Sequence, residues 1–521
     1  MVSYEIIGRN GELGLRALFS LHDATHAVEF ASDLHRMGWE IVCTNETHSL
    51  LKESRIPSTT IELFTGTSKG YEVPPTLHPK VEWALTGGSQ DSRIDLVFDI
   101  PYPISKGYDV GGTTLLALAI KGGKIPVFTN DDMKRVISEF KTNGEIDDEL
   151  RSSLLAKANL FIAQHYIQML QQAKKGGDGW VGAPIMKLLT GENPYQVPCH
   201  LLGFPENEDP LSLRRFDQLS GTVPCFTSLA DLDNIIHTLC LAYEAFNKRF
   251  GKTPYLALAA KHGNACGFGA DWENPEIAIE KALFGNPTAI WGGEFVCNFS
   301  ITGSFAKLLY ESDARKKNLG SGWWMLDLVA APSFSSEARA VLGRRKDRKL
   351  MINKSLTEPK LSNSTFIFRP VRGGFLRQPP PNYILDFDEI ELDGANFTEQ
   401  TLGSLILAWA VSWSSNLGGN EISLVKDLQM IGSGGGPATT IAACNALARA
   451  REQEHVTHSS VFAADAFFPF TDAPKILIQA GCSEGLVPKG GKLEKQIREL
   501  FQNHQVDMGF LPQNYRGFCR H

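Results

Sequence analysis

The chain has 521 residues, of which 43% are hydrophobic and 21% charged, a balance typical of a folded globular protein and unlike that of a disordered one. At about 150 residues per domain, this length predicts three or four structural units. The net charge of −7 provides no broad basic surface, so nucleic acid is not expected as a partner. An anionic ligand must therefore meet local Lys or Arg side chains, or helix N-termini.

The cysteines and the apolar segments indicate the cellular compartment of the protein. Nine cysteines stand singly, without Cys-x-x-Cys spacing, which predicts reduced thiols in a cytoplasmic protein. The first residues, MVSYEIIGRNGELG, lack a basic segment followed by an apolar one, so no signal peptide is predicted. The longest apolar stretch, at 402–413, is shorter than the ~20 residues of a membrane span. It predicts a buried helix, and no membrane contact is expected.

The first part of the chain alternates short apolar strands with amphipathic helices. Strands are predicted at 15–21, 39–44, 93–103 and 124–129, and helices at 26–38, 47–56 and 111–123. Such alternation predicts a parallel sheet with helices on both faces. Helical sequence continues from about 131 and breaks at KKGGDGWVGAP, near residue 180.

A second α/β region follows to about residue 343, and a third runs from about 395. Between them, GRRKDRK at 343–349 is interpreted as a solvated connector rather than a phosphate site. The Pro-rich and then acidic segment at 377–394 is interpreted as a linker. The predicted domains are 1–186, 187–345 and 346–521.

Two further patterns concern anion and metal binding. MIGSGGGPATTIAACNALARA (430–450) is interpreted as a strand end, a glycine loop and a helix start. Exposed N–H groups there suit an anion, although a tight turn without a ligand fits equally well. No Lys-Ser/Thr follows the last glycine, so the segment is not a P-loop. His262 and Cys266 are four residues apart but lack the companion motifs of a zinc deaminase, so no metal is predicted.

Two segments each allow a structural and a functional interpretation. ADAFFPFTDAPKILIQAGCSEG (464–485) places three phenylalanines and a proline before Asp472. These residues suit a core, but an aromatic surface beside a carboxylate also suits a flat heterocycle. In YLALAAKHGNACGFG (255–269) an apolar strand ends at Lys261 and His262. That pair is either incidental at a solvent-exposed strand end or catalytic.

In chain order, these segments resemble the bifunctional purine-biosynthesis family that joins an IMP cyclohydrolase to an AICAR transformylase (AICAR is aminoimidazole carboxamide ribonucleotide). The front part resembles it through ALFSLHDATHAVEFASDLHRMGWEIVCTNETHSLLKESRIP, TLHPK and DVGGTTLLALAIKGGKIPV. The back part does so through TGENPYQ, KHGNACG, WGGEFVCN, DLVAAPSF, NEISLVKDLQMIGSGGG, DAFFPFTD, IQAGCS and YRGF. The resemblance covers nearly the whole chain.

The resemblance implies a fold and an assembly. The fold is α/β, with a Rossmann-like (methylglyoxal-synthase-like) N-terminal domain followed by two cytidine-deaminase-like α/β subdomains without zinc. The assembly is a homodimer whose transformylase sites lie between the subunits.

The resemblance also implies a formyltransferase that uses 10-formyltetrahydrofolate as co-substrate and AICAR or a related small amine as acceptor. The catalytic pair of the family maps onto Lys261 and His262. A histidine suits proton removal from a weakly nucleophilic amine near neutral pH. The neighbouring ammonium suits protonation of the folate N10 and stabilisation of the oxyanion. Asn420 matches the asparagine that holds the formyl oxygen.

Further positions match the binding residues of the family. For the folate these are Asp472 at the pterin, Pro469, Gly481 and Cys482. For the acceptor these are Trp291 and Gly292 at the base, Asp327 at the ribose, Phe467 on an aromatic shelf, and Arg516 at the phosphate.

Two substrate-binding arginines of the family are absent. Leu189 replaces the one before GENP, with Lys187 nearby, and Thr440 replaces the one after the glycine segment. Each lost charge-assisted contact is worth roughly 1.5–3 kcal/mol. The resemblance therefore implies weaker AICAR binding or a different acceptor.

The front domain departs from the family at its phosphate ligands. Its Gly-Gly-Thr loop is replaced by Asn45, Glu46 and Thr47, which puts a carboxylate where a phosphate would lie. Ala24 replaces a lysine, and Val73, Pro74 and Pro75 replace a basic segment.

Only a remnant of the cyclohydrolase site is kept. Lys121 and Asp109 match the family, but Gly122 and Gly123 replace the Asn-His after the lysine. We therefore predict a scaffold rather than a working cyclohydrolase. Two alternatives stay open: a fully bifunctional AICAR transformylase/IMP cyclohydrolase with substitute residues, and a non-catalytic nucleotide- or folate-binding homologue.

Overall fold

The computed structural model describes residues 14–67, 75–88, 92–107, 110–174, 176–204, 209–362, 364, 366–393 and 397–517. Contacts within the chain divide it into two compact units, one up to Ala183 and one from Pro184. Within the described ranges, no helix is both long and apolar enough to cross a membrane.

The first unit is a parallel sheet with helices. Its strands are β1 (Arg16–Leu21), β2 (Glu40–Cys43), β3 (Thr59–Thr60), β4 (Leu96–Ile100) and β5 (Ile125–Val127). Its helices are α1 (Ala27–Arg36), α2 (Asn45–Glu53), α3 (Ile61–Thr65), α4 (Pro79–Thr86), α5 (Val110–Lys121), α6 (Asn130–Asn143) and α7 (Asp148–Gln172). The five strands lie in the order β3-β2-β1-β4-β5, and all neighbours are parallel.

Successive residues of β1 bury their side chains on opposite faces of this sheet. Ala17 and Phe19 belong to the core beneath α1 and α6, whereas Leu18 belongs to the core beneath α4 and α5. A strand that is buried on both faces is continuously apolar, as parallel sheets require. The predicted parallel sheet with helices on both faces is confirmed.

The second unit contains more strands. They are β6 (Ala183–Lys187), β7 (His200–Gly203), β8 (Asp217–Ser220), β9 (Tyr255–Lys261), β10 (Asn264–Asp271), β11 (Glu294–Cys297), β12 (Leu328–Ala331), β13 (Lys349–Ile352), β14 (Ile367–Val371), β15 (Gly374–Gln378), β16 (Glu391–Asp393), β17 (Asn420–Lys426), β18 (Gln429–Gly436), β19 (Val461–Ala464), β20 (Glu484–Pro488) and β21 (Asp507–Leu511). Its helices are α8 (Phe226–Phe250), α9 (Pro275–Leu283), α10 (Gly303–Tyr310), α11 (Asp313–Leu319), α12 (Ser336–Leu342), α13 (Glu399–Ser414), α14 (Thr439–Glu452), α15 (Asp472–Gln479) and α16 (Glu494–Asn503).

Twelve of these strands form one mixed sheet, and its two halves are built alike. Outwards from the central β10–β18 pair, the halves run β10-β9-β11-β12-β13-β8 and β18-β17-β19-β20-β21-β16. Corresponding neighbours pair in the same sense, parallel along β11-β12-β13 and β19-β20-β21 and antiparallel elsewhere. We call the halves the first repeat (β8–β13 with α8–α12) and the second repeat (β16–β21 with α13–α16).

The two faces of the large sheet have different cores. On one face, α8 and α13 share a single core, in which Leu239, Phe246, Leu405 and Trp409 are fully buried. On the other face, each repeat has its own core beneath its remaining helices. The predicted buried helix at 402–413 is confirmed, because every residue of that stretch is buried in α13.

The glycine segment before α14 is not a loop, and this expectation was wrong. Residues 429–436 form β18, which is paired with β17 along its length. A Cβ at Gly434 would lie 2.2 Å from the backbone nitrogen of Ala446, and one at Gly432 would lie 2.4 Å from the oxygen of Ala446. The glycines therefore let α14 lie directly on the strand, rather than expose N–H groups.

Two connector predictions were also wrong in part. Within GRRKDRK, Arg348 is 2% exposed and donates to the carbonyl oxygens of Trp324, Leu326 and Leu342, so the run is not simply solvated. The acidic end of the predicted linker forms β16, which pairs with β21 at the edge of the sheet.

Candidate active site

The Lys-His pair lies at the tip of the β9–β10 hairpin. Lys261 ends β9 and pairs with Asn264, so His262 and Gly263 are the two turn residues. Their φ values are 53° and 67°, the left-handed pair of a type I′ hairpin turn. A Cβ at Gly263 would lie 2.5 Å from Asn234 Nδ2 and 3.2 Å from its Cβ, which together with the positive φ favours glycine there. The tight turn leaves the imidazole of His262 exposed.

Asp231 of α8 holds the backbone of this turn. Its carboxylate accepts a hydrogen bond from the backbone N–H of His262. Burial raises the pKa of Asp231, and the charge and N–H of His262 oppose that rise. The sequence offers no signal for this contact, because a single aspartate in an amphipathic helix has no diagnostic spacing.

The ammonium of Lys261 lies against the loop that carries Trp291 and Gly292. Its Nζ donates to the carbonyl oxygen of Trp291. A Cβ added at Gly292, where φ is 73°, would lie 3.8 Å from that Nζ and 3.8 Å from Asp327 Oδ2. The structure thus brings Lys261, His262, Trp291, Gly292 and Asp327 to one edge of the first repeat.

Arg345 is a charged partner of this group that the sequence did not identify. Its Nη2 lies 2.5 Å from Asp327 Oδ1 and 2.9 Å from Asp347 Oδ2. Its Nη1 donates to the carbonyl oxygen of Leu326 at 3.1 Å. Arg345 therefore fixes one oxygen of Asp327 and leaves the other facing Gly292. The Asp-Arg pair is separated by 18 residues, so no local spacing reveals it.

Asn420 belongs to the second repeat, at the first position of β17. Its Nδ2 donates to the carbonyl oxygen of Gly436 at 3.0 Å. In the loop before it, the backbone N–H of Asn416 donates to Asn264 Oδ1 at 2.7 Å. This bond joins the hairpin of the first repeat to the loop that leads to Asn420.

A buried carboxyl pair orders that loop. Glu421 Oε1 accepts from the backbone N–H groups of Leu417, Gly418 and Gly419 at 2.7, 2.9 and 3.3 Å. The N–H of Glu421 donates to Asp465 Oδ1 at 2.8 Å. Burial raises the pKa of Glu421 and raises that of Asp465 to about 8. Sequence reasoning missed both carboxyl groups: Glu421 directly follows the predicted residue Asn420, and Asp465 stands two residues before the predicted residue Phe467.

The aromatic segment after β19 is part core and part surface. Phe468 is buried, whereas Phe467 and Pro469 are half-buried and Asp472, the first residue of α15, is exposed. Phe467 packs on the backbone at 490–491, and the guanidinium carbon of Arg516 lies 5.6 Å from its ring centre. The ring of Phe467 and the guanidinium of Arg516 are thus neighbours, and the exposed Asp472 carboxylate follows five residues after that ring in the chain.

Gly481 and Cys482 lie in the turn after α15. Gly481 has φ of 82° and packs on His458. The thiol of Cys482 is buried 3.5 Å from Ser460 Oγ, and burial raises its pKa to about 11. The thiol of Cys482 is therefore not available to a ligand.

The absent arginines leave no cation at their positions. Leu189 is 61% exposed and lies next to the start of α8, where its N–H bonds the oxygen of Pro224 at 3.0 Å. Lys187 is exposed at the end of β6. Thr440 lies in the first turn of α14.

In the first unit, the side chains at the positions that match a cyclohydrolase site either contact other side chains or carry a charge that opposes a phosphate. Glu46 lies exposed in the first turn of α2, where its charge opposes an anion at the helix N-terminus. Asn45 Nδ2 donates to Glu62 Oε1 at 2.7 Å. The exposed Lys121 lies 3.9 Å from the Glu82 carboxylate.

Of the other front-domain positions that differ from or match the family, one is explained by packing and three are not among the described residues. A Cβ at Gly122 would lie 1.8 Å from the carbonyl oxygen of Leu85, so this glycine is a packing requirement. Asp109, Val73 and Pro74 lie outside the described residues. Among the residues that are described, no group of three or more His, Cys, Asp or Glu side chains could hold a metal ion.

These observations define an α/β protein with a candidate group-transfer site on the large sheet. Comparison with known proteins agrees. The family model of the AICARFT/IMPCHase bienzyme matches residues 125–450. The bifunctional purine biosynthesis protein PurH of Caldicellulosiruptor saccharolyticus is 27% identical, over 95% of this chain and 98% of that protein. The PurH of Neisseria meningitidis is 26% identical, over 95% and 97%.

The chain therefore belongs to the AICARFT/IMPCHase bienzyme family, and the family resemblance found in the sequence is confirmed. The α/β fold class is likewise confirmed. A solved structure described as "Crystal structure of ForH" aligns with 30% of this chain and 95% of its own, at 24% identity and a TM-score of 0.27. That score is too low to support an argument.

Proposed function

We propose that this protein transfers a formyl group from 10-formyltetrahydrofolate to AICAR or a related small amine. The main support for this proposal is the geometry of the β9–β10 hairpin. This hairpin exposes the imidazole of His262 at a two-residue turn and directs the ammonium of Lys261 onto the loop of Trp291 and Gly292. A base and an acid are thereby held side by side at one edge of the sheet.

The proposed reaction uses these groups in turn. His262 takes a proton from the acceptor amine as its nitrogen forms a bond to the formyl carbon. The amide of Asn420 and the ammonium of Lys261 stabilise the negative charge on the formyl oxygen. Lys261 then gives a proton to N10 as the bond between N10 and the formyl carbon breaks, and a proton from His262 restores the ammonium. In the net reaction, the formyl group passes from N10 of the folate to the acceptor nitrogen, and one proton passes from the acceptor nitrogen to N10.

The residues present fit the folate co-substrate, which supplies the activated formyl group. We assign the pterin to the exposed carboxylate of Asp472, since pterin N–H groups need an acceptor. Phe467 and Pro469 supply an apolar face beside it, and Gly481 a close backbone approach. Arg516, Trp291 and Asp327 are assigned to the acceptor.

The first unit is proposed to act as a scaffold without cyclohydrolase activity. Glu46 places a carboxylate at the α2 N-terminus, and Asn45 is bonded to Glu62. Both arrangements disfavour a bound phosphate at that end of the helix. We further propose a cytoplasmic homodimer, because the cysteines show no disulfide spacing and because the family resemblance implies a dimer.

The test is formyl transfer by the full-length protein from 10-formyltetrahydrofolate to a panel of amines that includes AICAR. We expect a formylated amine from the parent protein and none from His262→Ala. Asp427→Ala, at the corresponding position of the second repeat, is the control and should keep the activity. Undiminished turnover by His262→Ala would contradict the proposal.

The same assay separates the alternatives. Formation of IMP from formyl-AICAR, lost in Lys121→Ala, would show a bifunctional enzyme. Tight binding of folate or nucleotide with no formylated product from any amine would show a binding protein.

A further inference from the structure

A cavity of about 220 Å³ opens next to the Lys-His hairpin, where the two repeats meet. Its walls include Lys261, His262, Asn264 and Cys266 from the first repeat, and Ser433 and Arg449 from the second. In the part of the chain that the structure describes, no aspartate or glutamate lines it. The cavity is therefore cationic although the protein is acidic overall.

Arg449 supplies the charge on the far wall. It lies half-buried in the last turn of α14, and its Nη1 donates to the carbonyl oxygen of Ser433 at 2.7 Å. Within the described ranges it forms no ion pair with a carboxylate, unlike Arg345 with Asp327. The glycines of β18 let α14 lie close to the sheet, which brings this guanidinium to the cavity.

Cys266 shows that both cations act on the same wall. Burial raises the pKa of its thiol to about 12; the charge of Arg449 opposes that rise, that of Glu294 adds to it, and that of Lys261 opposes it. The thiol is thus neutral and adds no negative charge to balance them. The buried carboxyl group of Glu421 feels the charge of Arg449 but is not among the described residues that line the cavity and forms no ion pair with it. The cavity side of the guanidinium is therefore open to an anionic ligand, and its planar fork suits two oxygens of one group.

We propose that this cavity binds the anionic group, a carboxylate or a phosphate, of the acceptor amine, with Arg449 as the principal charged contact. Because Lys261 and His262 line the same cavity, an acceptor anchored there has its nitrogen within reach of the catalytic pair. The assignment of the anion to the acceptor rests on the proposed formyl transfer, whereas the anion site itself does not.

The first test measures anion binding without folate. Inorganic phosphate and, separately, malonate are titrated calorimetrically into the parent protein, Arg449→Gln, Arg449→Lys and Arg451→Gln. Arg451 lies exposed in the same helical turn but outside the cavity wall, so it is the matched control. We expect about 10- to 100-fold weaker binding in Arg449→Gln, a smaller loss in Arg449→Lys and no change in Arg451→Gln.

Equal binding by Arg449→Gln and the parent would overturn the proposal, as would an equal loss in Arg451→Gln. Thermal unfolding of each variant establishes that it is folded. If Arg449→Gln does not fold, Arg449→Lys carries the test, because it keeps the charge and loses the fork.

The second test assigns the anion to the acceptor. Formyl transfer is compared between AICAR and its unphosphorylated riboside, and between an aminoimidazole carboxylate and its carboxamide. In one of these pairs, the parent protein should have the lower KM for the anionic acceptor. Arg449→Gln should raise that KM to the value for the neutral acceptor and leave kcat unchanged. The responding pair identifies the group as phosphate or carboxylate.

The remaining outcomes are distinguishable. Unchanged preferences in both pairs would overturn the assignment to the acceptor. Anion binding that depends on Arg449, together with no formyl transfer to any amine, would support the anion site and count against the proposed function.

Discussion

The hairpins of the two repeats occupy equivalent places in the large sheet. In the first, Lys261 is followed by His262 and Gly263 in the turn; in the second, Lys426 is followed by Asp427 and Leu428. All four turn residues have positive φ. The two lysines also make the same hydrogen bond, from Nζ to the carbonyl oxygen of Trp291 in one repeat and of His458 in the other.

The backbone around them matches as well. Gly292, after Trp291, bonds the carbonyl oxygen of Met325, and Ser459, after His458, bonds that of Gly481. Asp327 and Ser483 correspond in the same way, because their N–H groups bond the oxygens of Gly293 and Ser460. A lysine in this hairpin is therefore a property of the scaffold.

The difference between the repeats lies in a few side chains. The turn residue is an exposed histidine in the first repeat, and in the second an aspartate bonded to Gln400 Nε2 at 2.8 Å. Beside the lysine loop stands the Asp327 carboxylate in the first repeat and the Ser483 hydroxyl in the second. The proposed chemistry therefore depends on the side chains that surround the lysine, and paired variants of the two repeats test this dependence.

The largest effect is expected when the two lysines are removed one at a time. Lys261→Met should lower kcat by about 10²- to 10⁴-fold, since it removes the proposed acid. Lys426→Met breaks the same kind of hydrogen bond in the second repeat and should leave kcat within about twofold, because that lysine is not one of the proposed catalytic groups. Any effect should fall on the KM for the folate, since Gly481 packs on His458, whose carbonyl oxygen Lys426 binds. Steady-state formyl transfer measures both. Equal losses in the two variants would show that the lysines serve the scaffold alone.

The second effect concerns a buried carboxyl group of the first repeat whose equivalent in the second repeat is a valine. Glu294 begins β11 opposite Ala260, and Val461 begins β19 at the equivalent position opposite Val425. Glu294 is 4% exposed, and burial, helped by Asp231 and Asp327, raises its pKa to about 9. Its Oε2 has no hydrogen-bond partner in the described structure.

The sign of the pH effect follows from that shift. The folded state holds the proton of Glu294 up to about pH 9, whereas the unfolded chain releases it near pH 4.5. Stability is thus lost as the pH rises between these values, by at most about 1.4 kcal/mol per pH unit. Glu294→Val and Glu294→Gln should make the fall in stability less steep by this amount in urea unfolding measured from pH 5 to pH 8, while the raised pKa of Asp465 still contributes its own slope. Parallel profiles for parent and variants would contradict the assignment.

The fold could be predicted from the sequence where periodicity dominates. Strands such as β1 and the helix α13 carry continuous or regular apolar patterns, and they lie where expected. The glycines of β18 misled the prediction because glycine disfavours strands in general. Here tertiary packing decides, since Gly434 lies against the backbone of Ala446.

The site was predictable only in the part that local motifs describe. Lys261 and His262 stand out as a pair at a strand end, and the turn follows from His262 and Gly263. The contacts of Arg345 with Asp327 and of Asp231 with His262 join distant segments. Their closeness depends on the sheet order, which a single sequence does not reveal.

A smaller effect is expected from the ion pair that holds Asp327. Arg345→Gln removes the charge that fixes one oxygen of this carboxylate. If Asp327 binds the acceptor, the KM for the amine should rise about tenfold with little change in kcat. Arg344→Gln, an exposed neighbour in the same run, is the control. A loss confined to kcat would contradict a role in acceptor binding.

The smallest effect on activity is expected from the two helix side chains that accept hydrogen bonds from the hairpin turns, one in each repeat. Asp231 accepts from the N–H of His262, and Ser404 Oγ accepts from the N–H of Leu428 at 3.2 Å. Each bond is worth about 1 kcal/mol, so Asp231→Asn and Ser404→Ala should destabilise the fold to a similar, small extent. Only Asp231→Asn should also lower kcat, by about three- to tenfold at unchanged KM, because only that turn positions a proposed catalytic group. Urea unfolding and steady-state kinetics of the two variants measure this. An equal fall in kcat in both would mean that turn rigidity anywhere in the sheet, rather than the placement of His262, limits turnover.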